Sequence, residues 1–122
     1  MYPTAIGPFA TPPAEVKPSE PYRVRHWQNT MLGHSAANVV PVVASNRVGV
    51  EEIGETAMKF HGGSFISDHR GNIEVEMDND SEGVIVSTFD LDEIAEERRS
   101  FPFFRDRRVD LFGRLLTLDG RI

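Results

Sequence analysis

Residues 26–49, HWQNTMLGHSAANVVPVVASNRVG, change their periodicity midway, and that change decides the fold. In the first half, Trp27, Met31 and Leu32 continue a helical spacing begun by Tyr22 and Val24, while Arg23, Arg25, Gln28 and Asn29 take the other side. The spacing predicts an amphipathic helix of about 16 residues ending near Ala37. Ser19-Glu20-Pro21 suits its start, with a capping hydroxyl followed by an acid and a proline in the first turn. From Val39 the pattern becomes the continuous β-branched run VVPVVAS (39–45), as expected of a strand buried on both faces. Pro41 stands near its beginning, where a missing amide donor is tolerated.

Upstream, Tyr2, Thr4 and Ile6 alternate with Pro3, Ala5 and Gly7 in a short strand that Gly7-Pro8 stops. A strand so close to Met1 predicts that more of the fold precedes it. Residues 8–21, PFATPPAEVKPSEP, hold five of the eight prolines and read as an extended loop. Downstream, 46–56 reads as a polar loop, and AMKF (57–60) and SFIS (64–67) as short strands separated by His61-Gly62-Gly63. NIEVEM (72–77) alternates, and GVIVSTFD (83–90) is a strongly apolar strand. Asp90 or Asp92 can cap a helix over 91–99 that Pro102 ends, and Val109, Phe112, Leu115 and Leu116 mark one face of a last helix over 109–118. The order of elements predicts a helix-flanked α/β sheet containing one antiparallel meander. The expected organisation is one partial domain over 1–122, with the proline-rich loop at 8–21 and a tail segment at 101–122.

With 122 residues, 39% hydrophobic and 26% charged, the chain is long enough for a real core and falls among globular proteins. A net charge of −6 argues against nucleic acid as a partner, since the Arg23/Arg25 and Arg105/Arg107/Arg108 clusters form no clean basic stripe. No apolar run reaches the ~20 residues of a membrane span, and a signal-peptide layout is absent, so a cytoplasmic location is expected. With no cysteine, the chain can contribute neither a disulfide nor a thiol nucleophile.

The residues contain no complete catalytic set. His26, His34, His61 and His69 form no metal-ligand pair, so no metal and no cofactor are expected. His61-Gly62-Gly63-Ser64 leads into a strand instead of a helix, which favours a plain tight turn over a phosphate cradle. The carboxylates of DLDEIAEE (90–97) read as a solvated helix face. In FRDRR (104–108) the arginines flank an aspartate, an arrangement suited to forked ion pairs. Structural clamping or a subunit contact is the favoured role there.

Taken together, YPTAIG (2–7), residues 26–49, FHGGSFISDHRG (60–71), FDLDEIAEERRSFPFFRDRRVDLF (89–112) and LTLDG (116–120) resemble the carbon–nitrogen hydrolase (nitrilase-like) family over nearly the whole chain. The resemblance implies the C-terminal half of a four-layer αββα sandwich, often paired with a second copy through its helical faces. It also implies a glutamate–lysine–cysteine triad hydrolysing a ureido or amide C–N bond, in which cysteine attacks, glutamate shuttles protons and lysine holds the oxyanion. In the family all three lie upstream of the YPTA strand, so no catalytic residue falls in this chain.

By the same resemblance Tyr2, Thr4, Ala5 and Ile6 would form the pocket wall. Glu20 could supply the acid for a cationic amine end, a role usually filled by Ser-Glu-Pro directly after YPTAIG, where this chain has Gly7-Pro8-Phe9. Without that acid a less basic N-carbamoyl or amide substrate is implied. Asn46, Arg47, Arg105, Asp106, Arg107 and Arg108 would be structural or interface residues. The partners implied are the N-terminal half, in cis or in trans, a second copy, and a small N-carbamoyl amine once the fold is complete. The alternatives are a non-catalytic binding module derived from the fold and, with no constellation to support it, an independent enzyme using another nucleophile.

Overall fold

The computed structural model describes residues 1–8, 10–17, 20–119 and 121. Its main sheet has four strands in the order β1-β2-β5-β6, made of Tyr2–Thr4, Val43–Asn46, Phe65–Ser67 and Ile73–Glu76. β1 runs parallel to β2, with Tyr2 beside Ala44 and Thr4 beside Asn46. The crossover between them carries the proline-rich loop and helix α1, Pro21–Asn38. β2, β5 and β6 are antiparallel neighbours; of the expected meander, 64–67 and 72–77 pair with each other, whereas 57–60 leaves this sheet for a separate hairpin.

α1 lies on one face of this sheet, and Trp27, Val42, Ala44 and Phe65 form the core, with Ile6, Met31, Leu32 and Ile73 packed around them. Trp27 meets Phe65 edge-on, 5.7 Å between centroids and 81° between planes. Such an arrangement adds about 1 kcal/mol to the roughly 2–3 kcal/mol of burying a phenylalanine. The stripe differs from the expected one. Tyr22 is exposed, whereas Gln28, which the sequence pattern assigns to solvent, is 1% exposed. Its amide donates to Gly63 O at 3.1 Å and Glu76 Oε1 at 2.6 Å, so a polar residue in the packed stripe is accepted because it bonds to the sheet. The helix begins behind Glu20, without a side-chain cap; Ser19 lies outside the described residues.

The strand after α1 is shorter than 39–45. Val39 closes the helix in the left-handed conformation (φ 49°), and the ladder begins only at Val43. Between them the Ser35 hydroxyl lies 2.7 Å from Val40 O and 2.5 Å from Asp68 O, and Ser67 Oγ accepts from Val42 N at 3.1 Å. Two hydroxyls thus satisfy backbone groups where Pro41 interrupts regular pairing.

The region 46–56, expected as a loop, contains a strand. β3 (Val50–Ile53) and β4 (Thr56–Lys59) pair as a two-residue hairpin turned by Gly54 (φ 61°) and Glu55. All four β3 residues are exposed and two adjacent ones are glutamates, so no alternation announces it. Thr11 bridges Ala57 through two backbone hydrogen bonds of 3.0 and 2.7 Å, which straps the proline-rich loop to the hairpin.

Two further expectations are corrected. Residues 83–90 form no ladder among the described residues; Val84 and Val86 are 90% and 80% exposed. The segment has strand composition but no paired neighbour, and a strand without a ladder is only extended chain. The last helix is also missing: 109–111 and 113–116 are short 3₁₀ turns, with Val109, Phe112, Leu115 and Leu116 all exposed. With no surface to bury its apolar face, so short a helix has little to hold it. α2, Leu91–Ser100, forms as expected, capped by Asp90, whose side chain accepts from Asp92 N and Glu93 N.

Candidate functional site at the end of β1

The ladder of β1 ends at Thr4 opposite Asn46, and from there the Asn46 side chain takes over. Its Oδ1 accepts from Ile6 N at 2.9 Å and from Arg47 N at 3.0 Å. Its Nδ2 donates to Ile6 O at 3.2 Å and to Gly62 O at 3.0 Å. Main-chain bonds add to the junction: His61 N donates to Ile6 O and Gly62 N to Arg47 O, each at 3.0 Å. His61-Gly62-Gly63 is therefore a buried crossing between the hairpin and β5, not the tight turn expected. Gly62 (φ 61°) shows why glycine stands there, since an added Cβ would lie 2.5 Å from Asn79 O.

Of the expected pocket-wall residues, Tyr2 and Ala5 are exposed, while Thr4 and Ile6 are half-buried. Ile6 turns toward the Trp27 cluster and, with Gly7, Tyr22, Arg23, His26, Trp27 and His61, lines a groove of about 380 Å³. Burial pushes the His61 imidazole down from its ordinary pKa, and the positive charge of Arg23 adds to the effect. Glu20 precedes α1, next in sequence to this groove. Hydrogen bonds from Tyr22 and Arg23 hold its carboxyl below the usual range, and Arg23 Nε lies 3.3 Å from its Oε2. The acid is thus already paired.

Arg47 forms a forked pair with Glu51 (3.1 and 3.0 Å) and stacks over Phe60, tying the hairpin to the end of β2. The FRDRR segment closes on itself. Arg105 pairs with Asp106, Arg108 with Asp110, and Arg107 lies over Phe104, all exposed; none of these pairs clamps the tail to the sheet.

A second charged cluster escaped sequence reasoning because its two halves lie 23 to 28 residues apart. His69 Nε2 and Arg70 Nη2 reach Glu97 Oε2 at 2.7 and 2.5 Å, and Arg70 Nη2 also reaches Glu93 at 3.5 Å. Glu97, read as part of a solvated face, is instead partly buried. His69, Glu93 and Glu97 bring their ligand atoms within 4.8 Å of one another. The Arg70 guanidinium already supplies their positive partner, so the set reads as an ion-pair tie between α2 and the β5–β6 turn. No helix among the described residues is long and apolar enough to cross a membrane.

The carbon–nitrogen hydrolase family model matches residues 20–99. The chain is 47% identical to the N-carbamoylputrescine amidase of Arabidopsis thaliana over 126 aligned residues, covering 100% of this chain and 40% of that protein. It is 37% identical to a citrullinase of Francisella tularensis, covering 95% of this chain and 38% of the other. Among solved structures, a carbon–nitrogen hydrolase from Helicobacter pylori superposes with a TM-score of 0.75 at 31% identity, over 93% of this chain and 39% of that one. The chain belongs to the carbon–nitrogen hydrolase family. It spans about 40% of the length of these relatives, and its mixed α/β architecture is a part of their fold.

Proposed function

We propose that this chain is the portion of a carbon–nitrogen hydrolase that walls the substrate pocket, and that the complete protein cleaves the ureido C–N bond of an N-carbamoyl amine. Water is consumed, and the free amine, carbon dioxide and ammonia are released. The observation that carries the reading is the 47% identity with an N-carbamoylputrescine amidase along the whole of this chain. No cysteine is present, so the thiolate of the family's reaction comes from the remaining part of the fold, joined in cis or bound in trans. The end of β1 and its groove supply shape, and Glu20 the acid for the amine end. Glu20 is paired with Arg23, but the pair is exposed, so an incoming substrate ammonium replaces the guanidinium at little cost.

The test is ammonia release from N-carbamoylputrescine by this chain alone and mixed with a separately expressed N-terminal segment of the kind its longer relatives carry. Turnover only in the mixture is expected. Turnover by the chain alone would overturn the argument from the missing thiol. Silence in both, with turnover of citrulline or another N-carbamoyl compound by the mixture, would move the substrate to that compound. Silence throughout would favour a non-catalytic binding module, a reading to which the exposed Val84 and Val86 of segment 83–90, outside any ladder among the described residues, lend support.

A further inference from the structure

We infer that Asn46 is a positioning residue for the pocket wall: its carboxamide sets the course that the chain takes on leaving β1. The inference rests on the reading of β1 as pocket wall given above. A carboxamide offers two N–H donors and two acceptor positions, and all four are used here, on Ile6 N, Arg47 N, Ile6 O and Gly62 O. The main chain of Asn46 is held separately, with its N–H donating to Ser64 Oγ at 2.9 Å and Ser64 Oγ donating back to its carbonyl at 3.2 Å. One side chain thereby joins three segments that no ladder joins: the exit of β1, the start of the hairpin connection and the His61–Gly63 crossing. The next residue is confined as well, because a Cβ on Gly7 would lie 2.6 Å from Lys59 O. The directions of Ala5 and Ile6, and the point from which the proline-rich loop departs, follow from these contacts.

Two substitutions separate its halves. Asn46→Ala removes all four bonds. Asn46→Asp keeps the acceptors for Ile6 N and Arg47 N but loses both donors and turns a carboxylate oxygen toward two carbonyls. Amide hydrogen exchange on the full chain should show Ile6 exchanging roughly five- to tenfold faster in Asn46→Ala. In Asn46→Asp, Ile6 should stay close to wild type while His61–Gly63 exchange faster. In both, β5 and β6 should be unchanged. Unaltered exchange at Ile6 in Asn46→Ala, or equal acceleration across the whole sheet, would overturn the inference. In the mixture with the N-terminal segment, Asn46→Ala should raise KM for N-carbamoylputrescine about tenfold with kcat changed less than about threefold. A fall in kcat at constant KM counts against a role in the wall. If the wild-type mixture turns over nothing, the proposed function fails, and the exchange measurement still decides what Asn46 does.

Discussion

At the scale of single residues, the junction beside β1 owes its form to groups that have no other way to be placed. Gly62 is the sharpest case, because its positive φ and the close approach of Asn79 act together. Gly54, in the hairpin turn, has a similar φ but open space around it. Gly54→Ala should therefore cost about 1 kcal/mol from backbone strain, and Gly62→Ala about 2 kcal/mol or more, since strain and overlap add. Urea denaturation of the two variants checks this, and equal losses would remove the close approach as the reason for glycine at 62. Of these two, sequence reading identified the glycine-rich pair at 62–63 but not what it met. Asn79 is a distant residue, and contacts between distant loops leave no periodicity. The same holds for Asn46, whose four bonds look in sequence like one polar residue after a strand.

At the scale of elements, what could be read was what repeats. The extent of α1, the alternation of β6 and the Asp90 cap of α2 are local patterns that formed close to where expected, although the buried stripe of α1 takes in Gln28 and leaves out Tyr22. Segment 83–90 and the tail have strand and helix composition, but among the described residues neither forms its element; Val84, Val86 and the apolar residues of the tail are exposed, because composition cannot supply a neighbour. β3 failed the other way, lying fully exposed and without alternation. The tie between α2 and the β5–β6 turn yields a prediction about acidity. Hydrogen bonds from Arg70 and then His69 hold the Glu97 carboxyl below its ordinary range, against burial, which pushes it up. A carboxyl whose pKa is lower in the folded than in the unfolded chain contributes stability above its unfolded pKa, and that contribution is lost as pH falls through the folded value. The thermal midpoint should drop between about pH 5 and pH 3, and Glu97→Gln should flatten that drop. Parallel curves for the two proteins would show that Glu97 is not the group responsible.

For the whole molecule, the apolar surface left open is large. Val84 and Val86 are joined by Phe103, Phe104, Leu111, Leu115 and Leu116, all more than half exposed. Each Å² of such apolar surface that a partner covers is worth about 25 cal/mol. The chain alone should therefore self-associate. Sedimentation over a range of concentrations should show dimers or larger species, and addition of the N-terminal segment should dissolve them into a mixed complex. A monodisperse lone chain would overturn this. The parallel pairing of β1 with β2 has a cost of its own. Ile6 and Asn46 are 40 residues apart, whereas paired residues of β5 and β6 lie about ten apart. Closing the longer loop costs about 1 kcal/mol more in chain entropy. The strand proposed to meet substrate is thus the one whose place in the sheet is entropically the most expensive to keep.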